Sequence, residues 1–449
     1  MTGFKESLRA KRILNANVLL LTVWTIGVCA EQVRGGDTDE IVFGMSTALT
    51  GPTAELGLNM KLGVDVAFAE ANHLGRIDGR RLRLVVLDDG YEPKQTVINM
   101  RRLIDQEKVL GIIGNVGTPT AIAAVPISNR CQVPFLCAFT GAGVLRRDPP
   151  DRYVFNYRAS YAEETSAMVD AVVNHAGIHP SEIAFFSQRD AFGDSGFSGG
   201  VDAIRQHGYS DIHTIAHGRY RRNTTSVENA LAEILFHKVP PKAIIMVAAY
   251  APAAKFIRLA RQYGYRGLFL SVSFVGAKPL ARSLGQNGEG VIVTQVVPHP
   301  STDCELTRRY RNAMRRFAAD ANEAVQPSFG SLEGYIAGRV VLVALQSPLY
   351  EGGRDELVNT LEALEDFSIG LPNTLSFTHY RHQASHQVWA TVIRDNNVVP
   401  MNWSELPVLL QNAGELASSD DLAETMPSGD QSGADSLGPN SVMEGIDRE

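Results

Sequence analysis

The chain has 449 residues, 44% of them hydrophobic and 20% charged, with a formal net charge of −7. That length allows two or three domains with sizeable cores, and the negative balance argues against a nucleic-acid partner and a polybasic membrane anchor. Much of the charge lies at the end, where Glu415 to Glu449 holds many acids against one base, Arg448, among Ser, Gly and Pro; residues 405–449 therefore read as an acidic, disordered tail.

In chain order, Lys5, Arg9, Lys11 and Arg12 precede the apolar run "ILNANVLLLTVWTIGVCA". Residues 1–30 thus predict an export signal, cut after Ala30 of Val28-Cys29-Ala30, and a periplasmic location. Cys29 offers a lipid-anchor alternative that Val28, a poor residue before a lipidated cysteine, disfavours. No later segment reaches the roughly 18 apolar residues of a membrane span. Cys131, Cys137 and Cys304 remain, an odd number that fits small apolar packing residues.

From Glu40 onward, strand-like and helix-like segments alternate. "EIVFGMSTAL" reads as a buried strand and "LNMKLGVDVAFAEANHLG" as a helix stopped by glycine. "RLRLVVLDDG", "VLGIIGN" and "VPFLCAF" are further strands, with helices "PKQTVINMRRLIDQEK" and "PTAIAAVPISNRC" between them. The pattern restarts after "YVFNYRASY" (Tyr153–Tyr161), an extended aromatic stretch suited to a hinge, and runs to "GVIVTQVV". Two such runs predict an α/β protein of two doubly wound parallel sheets. The first lobe takes residues 40–157, the second 158–294, a helix-rich segment 295–370 returns to the first, and strands in 371–404 rejoin the second.

"GIIGNVGTPTAIAAVPI" (Gly111–Ile127) joins a strand end to a small-residue helix. It is no nucleotide loop: G-x-G-x-x-G is absent, and no lysine stands between Lys108 and Lys238. It offers instead free N–H groups and the hydroxyls of Thr118 and Thr120, with Thr118 also a candidate helix cap. "GFSGG" (Gly196–Gly200) satisfies G-x-S-x-G, yet Ser198 falls within a helix and not on the sharp strand-to-helix turn of a hydrolase. His379, His382 and His386 lack closely accompanying Cys, Asp or Glu, and His213 and His217 stand four apart; such histidines are usually solvated loop residues, so no metal or other cofactor is expected. "RYRRNTTS" (Arg219–Ser226) reads as a solvated basic face.

The stretches "LTGPTAELG", "GRIDG", "DDGYEPKQ", "VPFLCAFTGAGVLR", "FNYRASYAEET", "DAFGDSGFSGG" and "AAYAPAAKFIRLARQYG" resemble type I periplasmic solute-binding proteins of the branched-chain amino acid class, in register from about Ile41 to Met401. The resemblance implies two lobes joined by three crossings, a small polar ligand (amino acid, amide or carboxylate) held between them without catalysis, delivery to an ABC permease, and a monomer. It places the ligand's carboxylate on Thr118, with further contacts at Phe139, Thr140 and Gly141 and an apolar cover from Leu56. On the second lobe it implies Phe192 and Tyr250. The acid for a ligand ammonium falls on Ser273, which has no charge; Glu163 or Asp190 is a candidate substitute. The family's disulfide falls on Tyr91 and Gly117. A ligand sensor that reports to a signalling receptor is the alternative role.

Overall fold

The computed structural model describes residues 40–420 apart from positions 76 and 323, with side chains to 414. The export signal read at 1–30 and the tail beyond 420 lie outside the described residues. The first sheet contains β1 (Glu40–Thr47), β2 (Arg81–Asp88), β3 (Gly111–Ile113), β4 (Phe135–Leu136) and β5 (Val154–Phe155), all parallel, in the order β2-β1-β3-β4-β5. Helices α1 (Ala54–Leu74), α2 (Pro93–Arg101) and α3 (Thr118–Arg130) connect them.

The second sheet holds β6 (Ile183–Gln188), β7 (His217–Tyr220), β8 (Ala243–Val247), β9 (Leu268–Ser271), β10 (Ile292–Gln295), β11 (Trp389–Arg394) and β12 (Asn397–Pro400), ordered β12-β11-β10-β9-β8-β6-β7. Its first five strands are parallel and repeat the 2-1-3-4-5 order of the first sheet. Each sheet therefore reverses its winding between its first and third strands, and the crevice beyond those strand ends is where such sheets take ligands. The parallel expectation is modified at one edge: β10–β11 and β11–β12 pair antiparallel. β11 arrives from the opposite direction after the chain has returned through the first lobe. A two-residue turn, Asp395-Asn396, with φ of 48° and 61°, then folds β12 back as a tight hairpin.

Helices α4 (Tyr161–Asn174) and α5 (Ala191–Gln206) cover one face of the second sheet, with α6 (Glu228–Leu235), α7 (Tyr250–Gln262) and α8 (Ala277–Leu284) between later strands. The glycines of "GFSGG" let α5 sit close: a Cβ on Gly196 would lie 2.5 Å from Val247, on Gly199 2.4 Å from Ala162, and on Gly200 2.4 Å from Phe185. Ser198 is thus in the body of a packed helix. The return segment forms α9 (Glu305–Ala321), α10 (Phe329–Leu345) and α11 (Arg354–Glu362). α10 is apolar nearly all round and crosses α1 backbone to backbone, where a Cβ on Gly63 would lie 2.0 Å from the Ser331 carbonyl oxygen. A helix apolar on every face belongs in a core.

The tail reading needs correction at its start. Residues expected to be disordered from 405 form α12 (Leu406–Asp420), with Leu406 and Leu409 buried in the core and a start at the turn Trp403–Glu405. "LPVLL" carries its apolar residues at helical spacing, a local signal drowned by the composition of the acidic residues after it.

Gly200→Val should therefore destabilise the fold by about 1–3 kcal/mol through overpacking, read by urea unfolding. Gly143→Ala, where a Cβ meets nothing within 4 Å, should stay within about 0.5 kcal/mol of the parent.

Candidate functional site

The first-lobe wall is built at the ends of β1, β3 and β4. β3 ends in Gly114 and Gly117, with φ of 70° and 101°, conformations that favour glycine. Gly117 caps α3, so Thr118 is the first helical residue and its hydroxyl does not cap the helix. The cap role expected of Thr118 is thereby corrected. Its Oγ1 lies 2.7 Å from Thr140 Oγ1, and both residues are buried. Thr120 turns back to the carbonyls of Val116 and Gly117. At the positions of the missing disulfide, the ring of Tyr91 lies flat against Gly117, where a Cβ would come within 2.0 Å of Tyr91 Cε2.

The second-lobe wall closes onto this one. A short turn, Ser273–Val275, ends in left-handed Gly276 and projects Phe274 between the lobes. The ring of Phe274 lies 5.6 Å from Phe139, 6.1 Å from Tyr91, 4.6 Å from Phe192 and 6.4 Å from Tyr161. Leu56 packs against Gly276 from the first lobe. Gln188 Nε2 donates to Tyr91 Oη across the gap at 3.2 Å. At the rim Arg222 pairs with Glu92 at 2.8 Å, Asn223 donates to Glu92 and to the Gly90 carbonyl, and Arg282 pairs with Glu55. The basic run at Arg219–Ser226 is thus not simply a solvated face: it reaches across the cleft mouth to acids of the first lobe.

At the hinge side of the cleft, a cavity with room for about 20 Å³ remains, lined in part by Leu56, Phe139, Ser273, Gln295, Phe329 and Glu333. That is space for one water-sized group. Behind it lies Arg158, 1% exposed, on the first crossing segment, which runs beside the last one through Asn156 and Ala384. Its guanidinium sits 3.3 Å from Glu164 of α4 and 3.4 Å from Glu333 of α10, donates to Ser273 Oγ, and lies over the Phe139 ring at 4.9 Å. Burial works against the charge of Arg158, but Glu333 and Glu164 more than offset this and hold its pKa above the ordinary value. Glu164 also accepts from Ser273 N at 2.7 Å, Ser273 Oγ at 2.9 Å and Thr294 Oγ1 at 2.5 Å. Glu333 lacks such support, and burial lifts its carboxyl to about 7, with Arg158 opposing and Glu164 adding to the rise.

Of the residues expected in the site, Leu56, Phe139 and Ser273 line the cavity, Thr118 and Thr140 pair with each other outside its lining, and Phe192 joins the aromatic cluster. Gly141 supports that cluster from below: its carbonyl accepts from Tyr161 N at 2.8 Å. Tyr250 starts α7, half-buried, and reaches the backbone of Glu55. Neither substitute acid reaches Ser273. Glu163 closes a capping box on Ser160 and pairs with His386 at 2.5 Å, while Asp190 caps α5 and accepts from Gln188. Glu164, Glu333, Arg158 and Phe274 escaped the sequence reading. The available signals were a lone arginine inside the aromatic hinge stretch and a lone acid inside the apolar helix "FGSLEGYIAGRVVLVAL".

The histidines have other partners. His382 is buried, stacked on Phe155 at 3.9 Å and facing Glu362, and His379 also faces Glu362. His217 stacks on Phe197 and contacts Ser187, with burial lowering its pKa to about 4. Among the described residues no group of three His, Cys, Asp or Glu is placed to hold a metal, no helix is long and apolar enough to cross a membrane, and no disulfide joins Cys131, Cys137 and Cys304.

The periplasmic binding protein family profile matches residues 40–397. The chain belongs to that family. This periplasmic binding protein is 49% identical to a possible leucine/isoleucine/valine-binding protein from Rhodopirellula baltica SH 1, whose crystal structure superposes with a TM-score of 0.79 over 83% of this chain and 99% of that one. It is 23% identical to Leu/Ile/Val-binding protein homolog 7 of Brucella abortus over 68% of this chain and 77% of the relative. A match to an amino acid binding protein of Pseudomonas aeruginosa, 27% identical, covers 28% of this chain and spans only 32% of that relative.

Arg158→Met should leave two buried carboxylates without their cation and cost about 3–5 kcal/mol at pH 8. The loss should shrink in acid, because protonated carboxyls need no counterion. Urea unfolding of both proteins at the two pH values checks this.

Proposed function

We propose that this periplasmic binding protein works outside the cytoplasm, captures a small polar solute in the interlobe cleft and hands it to an ABC permease. The solute is an amino acid or a related carboxylate or amide. One observation carries the reading: two buried hydroxyls, Thr118 and Thr140, stand 2.7 Å apart where β3 and β4 end, beside the N-terminus of α3. Backbone N–H groups and hydroxyls at such a helix start suit a carboxylate. Across from them, Phe192 and Phe274 of the second lobe supply an aromatic cover. Rim pairs such as Arg222–Glu92 and Arg282–Glu55 join the lobes, so the bound solute is enclosed by rigid-body closure about the three crossings. The leucine/isoleucine/valine-binding character of the relatives supports the amino-acid class. The reading is capture without turnover, and it takes the chain to act as a monomer.

A thermal-shift screen over amino acids, amides, aromatic acids and short dicarboxylates tests the reading. At least one compound should raise Tm, and Thr118→Ala combined with Tyr250→Ala should abolish the rise. Full stabilisation retained by the double variant would remove the site from this cleft.

A further inference from the structure

Three charges meet in the interior at the hinge: two carboxylates, Glu164 and Glu333, share the guanidinium of Arg158. Their positions are unequal. Glu164 has three hydrogen bonds from Ser273 and Thr294 besides the ion pair, whereas Arg158 is the one ion-pair partner of Glu333 among the described residues. Glu333 is 4% exposed and its side chain lines the cavity that also touches Ser273 and Gln295. Two other cations stand near without pairing with Glu333: Arg146 favours its ionised form through space but donates to Gln383 and to the carbonyls of Thr140, Ala142 and Arg158, and Lys278, which also lines the cavity, donates to Gln326. Tyr157 and Cys137 also face Glu333, and burial holds both neutral by raising their pKa values, that of Cys137 to about 12. At contact distance, two carboxylates therefore share one guanidinium when both are ionised. A buried carboxylate in that state is costly, and the adjoining space of about 20 Å³ is the size of an ammonium head.

We infer that Glu333 receives the ammonium group of the ligand, from helix α10 of the first lobe, so that the choice between an amino acid and its des-amino analogue is made there and not at Ser273. The inference rests on the proposed solute-binding reading of the same cleft. The ligand's amine then supplies a second cation in contact with Glu333, with its carboxylate directed to the hydroxyls of Thr118 and Thr140. Since burial lifts the Glu333 carboxyl to about 7, part of the protein carries a proton there at neutral pH. Ammonium binding favours the carboxylate, and that proton passes to solvent. Affinity for an amine-bearing ligand should accordingly rise with pH up to about 7 and level off above it, with a slope approaching tenfold per pH unit on the acid side. A ligand without the amine gains nothing from that ionisation.

Matched pairs test this by titration calorimetry: L-leucine against 4-methylpentanoate, and L-phenylalanine against 3-phenylpropionate, at about pH 5.5, 7 and 8 in buffers of different ionisation enthalpy. The amino acid of a pair should bind more tightly, gain affinity between pH 5.5 and 7, and release protons at pH 7. Glu333→Gln should erase the preference and weaken amino-acid binding at pH 8 by roughly tenfold or more. If that variant does not fold, the pH profile of the matched pair in the parent protein carries the test. Equal binding of amino and des-amino members, or a pH-independent preference, overturns the role of Glu333 alone. Binding by no member of either pair, with a des-amino compound of another class binding instead, overturns it too and leaves solute capture standing. A thermal-shift screen with no responder removes both. Sodium chloride that alone produces the same proton release would place a free cation there and overturn the assignment to a ligand amine.

Discussion

Arg158 is the interaction on which the cleft depends. One guanidinium, buried on the first crossing segment, joins a helix of the first lobe through Glu333, a helix of the second through Glu164, and the tip of the second-lobe turn through Ser273. Buried ion pairs are weak evidence for stability, since desolvation offsets much of the attraction. Their value here is positional: the group fixes how three elements from different parts of the chain meet where the lobes hinge. The Phe139 ring below the guanidinium ties the same point to the first-lobe wall of the cleft.

From that point the cleft runs outward in layers. Hydroxyls and helix starts lie at the strand ends of the first sheet, an aromatic layer around Phe274 lies between the lobes, and ion pairs close the rim. Each layer follows from topology. The strand order turns back at the same place in both sheets, so the loops after β1, β3, β6 and β8 face one another. Gly117 and Gly276 take backbone conformations that aim Thr118 and Phe274 into the gap. Tyr91, set against Gly117 and bonded to Gln188, connects the wall of one lobe to the first loop of the other.

The sequence carried the architecture well because alternation of buried strands and amphipathic helices is a local signal repeated many times. Thr118, Phe139 and Ser273 lie at strand ends, and strand ends are legible in the same local pattern. It could not carry the partners of Ser273. Glu164 and Glu333 are separated by more of the chain than any motif spans, and they meet only because α10 crosses α1 on glycines at Gly63 and Gly334. One-residue differences decide such matters: Glu163 faces the surface as part of a helix cap, and Glu164, about 100° further round the helix, faces the core. The start of α12 was hidden for the opposite reason, a short local pattern beside a long biased composition.

The most direct measurement is the titration of the Glu333 side-chain carboxyl by carbon NMR in glutamate-labelled protein, assigned with Glu333→Gln. A buried carboxylate sharing one guanidinium should titrate near 7, far above an ordinary glutamate. A midpoint near 4.5 would mean that Glu333 is hydrated or fully paired, and would contradict the shared guanidinium on which the account of this cleft rests.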